Sequence, residues 1–200
     1  MPAISLAAIS AARRSNGLLQ MMNCIRLLAV SLPLLALLCW YDIRYRRLPN
    51  VLVLALFCTG AGCRFFFEGV GGIADGLFGA LAGAAFLFIP FMLRSAGGGD
   101  VKMLFACGML TGIRYVVAQL LFVSLVGLSL AIVMLIAQRV SAARLRHYWL
   151  SVFSRKYDRK AGRENLLPKE DERGRIPFGI AIAVGTVVTF VWTYFTEAAR

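Results

Sequence analysis

Long apolar runs recur along the 200-residue chain, and they constrain its fold more than any other feature. A membrane-crossing helix needs about 20 mostly apolar residues. Runs near that length cover residues 23–41, 51–67, 73–93, 115–137 and 176–196. Because 60% of the residues are hydrophobic and 16% are charged, one small soluble core could not bury this apolar surface. The sequence therefore predicts an all-α, polytopic membrane protein and disfavours a soluble enzyme or a disulfide-stapled secreted domain.

A further apolar run, residues 101–111, is short for a crossing, since it rises only about 16 Å as a helix. If it does cross, the polar segments 42–49, 94–102 and 138–175 share one face and carry 16 of the 22 Lys and Arg residues. That asymmetry satisfies the positive-inside rule. We therefore predict about six transmembrane helices with a short fourth helix, and we place these loops in the cytoplasm and both termini outside.

The predicted domain organisation is simple. Residues 23–196 form one transmembrane domain that includes the basic cytoplasmic loop 138–175. Residues 1–22 fit poorly, because Arg13 and Arg14 would lie on the outer face and no secretory signal pattern is present. We regard 1–22 as an N-terminal extension that is either disordered or not translated, with translation starting at Met21 or Met22.

Small residues recur at helical spacing in the third apolar run, at Gly72, Gly76, Gly79 and Gly83. Small-xxx-small spacing lets membrane helices approach closely. The pattern predicts close packing against another helix, with added flexibility as the alternative.

The ten acidic residues separate two candidates from the rest. Five lie in the basic loop, and Glu68 and Asp75 flank the turn between the second and third runs, where Asp75 is typical of a helix cap. Asp42 and Asp100 each lie where a cytoplasmic loop meets an apolar helix. An ionisable group at membrane depth is costly and is a functional candidate, although each could simply mark the interface.

The setting of Asp100 favours function. Gly97, Gly98 and Gly99 precede it, and glycines permit positive φ angles and the close approach of an extended peptide. Two facing aspartates would share one proton. The ionised member would take a proton from the attacking water, and the protonated member would polarise the peptide carbonyl. The two roles stay unassigned because a coupled pair titrates as a unit.

Three segments resemble those of one known family. Residues 42–50, DIRYRRLPN, resemble the D-x5-(I/L)-P-N segment of the type IV prepilin peptidases. Residues 97–102, GGGDVK, match the G-x-G-D motif and following lysine of that family, and residues 175–179, RIPFG, are similar to its I-P-(F/Y)-G segment. All three occur in order, each where a loop meets a helix, over residues 23–196.

The resemblance implies a membrane-embedded aspartic endopeptidase of the bacterial inner membrane, with Asp42 and Asp100 as the catalytic pair at the cytoplasmic face. Its substrates would be prepilins, with Gly97, Gly98, Gly99 and Lys102 as substrate-binding residues and the apolar helix of the substrate against the glycines of the third run. No cofactor is implied; the bilayer and a pilus-assembly machinery are the other implied partners. Without C-x-x-C pairs, the chain is similar to the short form of tight-adherence (Tad/Flp) pilus systems, which lacks the methyltransferase portion.

Other interpretations remain open on sequence grounds. Presenilin-like proteases share G-x-G-D, and Tyr41-Asp42 superficially fits their first aspartate, but residues 49–50 and 176–179 favour the prepilin branch. A non-enzymatic transporter or pilus-assembly scaffold could use Asp42 and Asp100 as a proton relay. A nucleic-acid partner is disfavoured, since basic cytoplasmic loops follow from topology. A zinc site is disfavoured by the single histidine, His147.

Overall fold

The computed structural model describes residues 6–45, 48–92, 96–136 and 178–198. They form five α-helices: α1 (Leu6–Tyr45), α2 (Asn50–Met92), α3 (Gly98–Thr111), α4 (Ile113–Ile136) and α5 (Phe178–Ala198). The described ranges contain no strand, which confirms the all-α prediction. The basic loop 138–175 lies outside them. Helix α1 already includes most of the segment 1–22, whose assignment as a separate extension stays a prediction.

Four of the helices are long and apolar enough to cross a membrane. The candidate spans are Met22–Tyr45, Asn50–Met92, Ile113–Met134 and Phe178–Glu197. By length and composition the described residues thus give four candidate spans, fewer than the six predicted, because the 43 residues of α2 count as one span and α3 is too short. The outward faces of these helices are rich in large apolar side chains, as a lipid environment requires.

The second half of α2, residues 70–92, packs backbone to backbone against α3. A Cβ atom at Gly79 would lie 2.5 Å from the carbonyl oxygen of Gly108, and one at Gly83 would lie 3.0 Å from that of Leu104. These contacts confirm that the glycine pattern brings a second helix close. They also make the suggested place for the substrate helix wrong, because α3 of the same chain fills this face.

Helix α2 folds back on itself at Gly69. The first half, residues 50–68, runs parallel to α3, since Phe57 stacks on Phe105 and Gly60 lies against Leu110. The second half meets α3 in the reverse order, so the two halves are antiparallel arms of a hairpin. Gly69 has φ 67° and ψ −155°, a combination that is essentially restricted to glycine. The turn predicted at residues 69–72 is therefore made by its first glycine.

Helix α3 lies inside the bundle, with its residues from Met103 to Thr111 largely buried between neighbouring helices. Its 14 residues rise about 21 Å, which is less than a bilayer core. When the arms of α2 are counted separately, α3 is the fourth of six helical segments in the described part of the chain. Because its neighbours cover it, a short helix suffices there.

Buried hydrogen bonds tie the centre of the bundle together. The Thr111 hydroxyl donates to Oε1 of Gln119 (2.6 Å), and Nε2 of Gln119 donates to Oγ1 of Thr186 (3.0 Å). The Thr186 hydroxyl donates in turn to the Ile182 carbonyl at 2.7 Å. Polar side chains inside a membrane protein need such partners, so this chain of hydrogen bonds fixes α3, α4 and α5 relative to one another.

Candidate active site

The buried face of α1 ends in a carboxylate. The buried positions of this helix follow a spacing of three or four residues: Leu27, Ser31, Leu35, Leu38 and Asp42. That spacing is the inward stripe of an amphipathic helix, and Asp42 continues it into the last turn. Only 6% of Asp42 is exposed. The aspartate therefore faces the interior of the bundle and not the loop that follows it.

Asp42 lies against the first turn of α5. A Cβ atom at Gly179 would come within 2.7 Å of Oδ2 and 3.0 Å of Cγ of Asp42. Glycine is thus the residue that lets this carboxylate occupy its place. The first turn of a helix carries partial positive charge on its unbonded N–H groups, and that field attracts a carboxylate.

Asp100 lies in the first turn of α3, where its carboxylate caps the helix. The Gly97 amide donates to Oδ2 of Asp100 at 3.2 Å, which is the backward half of a capping box. Gly97 is extended, with φ −77° and ψ 144°, and α3 begins at Gly98. The positive φ angles that these glycines permit are not used: in the described residues positive-φ glycines occur at positions 69 and 112, because residues 98 and 99 belong to the first turn of α3.

The start of α3 also contacts the segment that follows α1. Nζ of Lys102 donates to Oδ1 of Asn50 at 3.1 Å, and Gly99 lies beside Leu48. The motif of residues 42–50 is therefore joined to the motif of residues 97–102. Gly179, the last residue of the third motif, contacts Asp42, so the described residues of all three motifs lie toward this end of the bundle.

Asp42 and Asp100 lie at the same end of the bundle. Helix α1 runs toward this end and finishes there, and α3 starts there beside Leu48. At the other end, Thr111 of α3 and Asn23 of α1 line a common cavity, so α1 and α3 are antiparallel. Among the described residues no group of three or more His, Cys, Asp or Glu side chains could hold a metal ion.

A buried cation at the far end of the bundle was not predicted from the sequence. Arg64 is 4% exposed, and its Nη1 donates to Oε2 of Glu68 (2.9 Å) and to Oδ2 of Asp75 (2.8 Å). Its Nη2 donates to the Leu110 carbonyl at 3.2 Å. Asp75 is thus an ion-pair partner across the Gly69 turn, not the helix cap that its position suggested. The sequence signal for this ion pair was an arginine inside an apolar run with a glutamate four residues later.

These features define a helical membrane protein in which Asp42 and Asp100 lie toward the same end of the bundle. A sequence model of the type IV leader peptidase family matches residues 29–132, more than half of the chain, and this stretch includes both aspartates. The chain belongs to the type IV leader peptidase family. It is accordingly a peptidase and a multi-pass membrane protein, with a prepilin leader as its kind of substrate. No curated protein and no solved structure matches the chain.

The contact between Gly179 and Asp42 predicts a strong effect of one methyl group. In Gly179→Ala the added Cβ would meet the carboxylate, so Asp42 must rotate away. Because a displacement of about 1 Å at a reacting group can cost about a hundredfold in rate, we expect leader cleavage to fall by about ten- to a hundredfold. The measurement is the cleavage rate of a purified pilin precursor at matched enzyme amounts.

Gly62→Ala is the matched control, because nothing lies within 4 Å of a Cβ atom at that position. It should cleave as the unmodified protein does. Full activity of Gly179→Ala would contradict the placement of Asp42 against α5.

Proposed function

We propose that this protein is a membrane-embedded aspartic endopeptidase that removes the leader peptide from Flp-type prepilins at the cytoplasmic face of the inner membrane. The observation that carries the proposal is the contact between the segments that follow Asp42 and Asp100, made by Lys102 and Asn50, in a chain of the type IV leader peptidase family. Burying an aspartate on a largely apolar helix face costs free energy, so packing alone does not explain the position of Asp42.

In the proposed reaction the two aspartates share one proton. The ionised carboxylate takes a proton from water as the water oxygen attacks the scissile carbonyl carbon. The protonated carboxyl donates to the carbonyl oxygen and stabilises the tetrahedral intermediate. When the C–N bond breaks, a proton passes to the leaving amine, and the mature pilin and the free leader separate.

The substrate-binding part of the proposal rests on residues beside Asp100. Gly98 is exposed, and Gly97 and Gly99 are half-buried, so these positions put no side chain of their own between a substrate backbone and the start of α3. Lys102 is exposed where it meets Asn50. We propose that these residues bind the substrate backbone around the cleavage site.

The proposed topology has six crossings. Both arms of the α2 hairpin cross, α3 crosses as a short, fully enclosed segment, and α1, α4 and α5 complete the set. This arrangement places the loops 42–49, 94–102 and 138–175 on one side with 16 of the 22 basic residues. The positive-inside rule makes that side cytoplasmic, and it is the side of both aspartates.

The test is incubation of the purified protein in lipid with a panel of candidate pilin precursors, followed by mass analysis of the products. We expect one cut in Flp-type precursors, after a glycine between the basic leader and the apolar helix, and a product that carries no N-methyl group. Thiol labelling of single-cysteine variants in intact cells would check the side of the loops. An intact precursor in every case would overturn the peptidase proposal and leave the proton-relay transporter or scaffold.

A further inference from the structure

A cavity of about 420 Å³ lies at the end of the bundle opposite the two aspartates. Ligand sites in proteins usually measure about 300–1,000 Å³, so this cavity is large enough for a small polar group. All five helices contribute to it, and its charged and polar lining includes Asn23, Arg64, Glu68, Asp75, Arg114 and Tyr115. The peptidase proposal gives this cavity no role.

The charged side chains that line the cavity balance, with two guanidinium groups and two carboxylates. One guanidinium, that of Arg64, serves two carboxylates, those of Glu68 and Asp75. Arg114 pairs with Glu197 at 3.2 Å. The side chains of Glu68 and Asp75 are 31% and 36% exposed, so both can accept hydrogen bonds from a ligand. A cationic group fits beside them, while the half-exposed Arg114 at the other side suits an anion.

A narrow apolar groove adjoins the cavity between α1 and α5. It measures about 160 Å³ and shares two of its lining residues, Cys24 and Phe190, with the cavity. The other lining residues are Ile25, Leu28, Val191 and Tyr194. A helix is about 10–12 Å wide with its side chains and does not fit this space, whereas a single hydrocarbon chain does.

The depth of the cavity matches a lipid headgroup. Cys24 lies 18 residues before Asp42 on the same helix, which corresponds to about 27 Å along its axis. The hydrocarbon core of a bilayer is about 30 Å thick. If Asp42 lies near one membrane surface, the cavity therefore lies near the headgroups of the other leaflet, and the groove adjoins it at the same depth on the outward side of α1 and α5.

We propose that the cavity and the groove together bind one zwitterionic phospholipid with a primary ammonium group, as in phosphatidylethanolamine. The ammonium donates to Glu68 and Asp75, the phosphate faces Arg114, and one acyl chain occupies the groove. An anionic phospholipid without an ammonium group offers Glu68 and Asp75 no cationic donor, and a quaternary ammonium lacks the N–H donors that these carboxylates accept. This site is independent of the peptidase proposal.

The test compares three lipids on the full-length protein after exchange into detergent. Binding of phosphatidylethanolamine, phosphatidylcholine and phosphatidylglycerol is measured by native mass spectrometry with titration. Because a charge-assisted hydrogen bond is worth about 1.5–3 kcal/mol, we expect phosphatidylethanolamine to bind about tenfold or more tightly than the other two. Equal or tighter binding of phosphatidylglycerol would overturn the proposal.

Two variants separate the headgroup from the chain. Asp75→Asn is nearly isosteric and leaves the ion pair of Arg64 with Glu68, and it should weaken phosphatidylethanolamine binding by about tenfold. Leu28→Trp fills the groove and should abolish the preference among lipids. Its matched control is Ile132→Trp on the outward face of α4, where the side chain is 48% exposed and no lipid site is proposed.

The outcomes are distinct even if Asp75→Asn proves unstable. Loss of lipid selectivity in Leu28→Trp, with selectivity retained in Ile132→Trp, supports the site. Unchanged selectivity in Leu28→Trp overturns it. Displacement of the bound lipid by a pilin precursor would also overturn it, since the groove would then belong to the substrate.

Discussion

Asp42→Asn and Asp100→Asn are each expected to abolish leader cleavage, with a fall of about a thousandfold or more. General acid or base catalysis contributes about 10²–10⁴-fold, and each member of a pair that shares a proton is needed for both roles. The substitution is nearly isosteric, so Asp42 keeps its packing against Gly179 and membrane insertion stays intact. Cleavage of a co-expressed pilin precursor, followed by immunoblot and mass analysis, measures the effect.

Glu164→Gln is the control for these variants. It removes a carboxylate from the basic loop, where the sequence indicates only charge balance, and it should cleave normally. The assignment of the catalytic pair fails if either aspartate variant, present at normal levels in the membrane, still processes the precursor.

Gly79→Ala is expected to destabilise the bundle strongly for a change of one methyl group. The added Cβ would meet the Gly108 carbonyl oxygen at 2.5 Å and the Gly112 carbonyl carbon at 2.6 Å, and backbone atoms cannot rotate away. Overpacking costs about 1–3 kcal/mol, which corresponds to a fall of about 2–12 °C in the unfolding midpoint of a chain of this size. Thermal unfolding of the purified protein checks this. Cleavage should fall as well, because α3 carries Asp100.

The same substitution in the other arm of the hairpin provides the comparison. Gly62→Ala meets nothing within 4 Å, and alanine favours helix over glycine by about 0.5–1 kcal/mol, so its unfolding midpoint should stay equal or rise slightly. Equal midpoints for Gly79→Ala and the unmodified protein would contradict the close packing of α2 on α3.

The sequence predicted the features that depend on local pattern. Apolar runs gave the all-α class and the approximate bounds of the helices, and the glycine spacing gave the close contact of Gly79 and Gly83 with another helix. The turn near Gly69 and the short helix before Gly112 were also predicted, because a break in an apolar run is visible in one dimension. The catalytic roles of Asp42 and Asp100 stay predictions.

The sequence did not predict the contacts between segments that lie far apart in the chain. Which helix fills the glycine face depends on how the arms of α2 and α3 pack, so the substrate helix was placed where α3 lies. The contact of Asp42 with Gly179 joins positions 137 residues apart. The sequence shows Glu68 four residues after Arg64, but the second carboxylate, that of Asp75, comes beside Arg64 only through the fold at Gly69. Because Asp100 caps α3, the backbone of the preceding glycines does not use the wide range of φ angles that glycine permits.

The ion pairs of Arg64 bear on how the chain enters the membrane during synthesis. Asp75 lies on the second arm of α2, whereas Glu68 lies on the first arm with Arg64. A first arm inserted alone would take the guanidinium out of water with only one of its two carboxylates. Insertion of both arms together, as one hairpin closed at Gly69, is therefore favoured over insertion of the first arm alone. We therefore expect the unit of membrane insertion in this part of the chain to be a pair of helices.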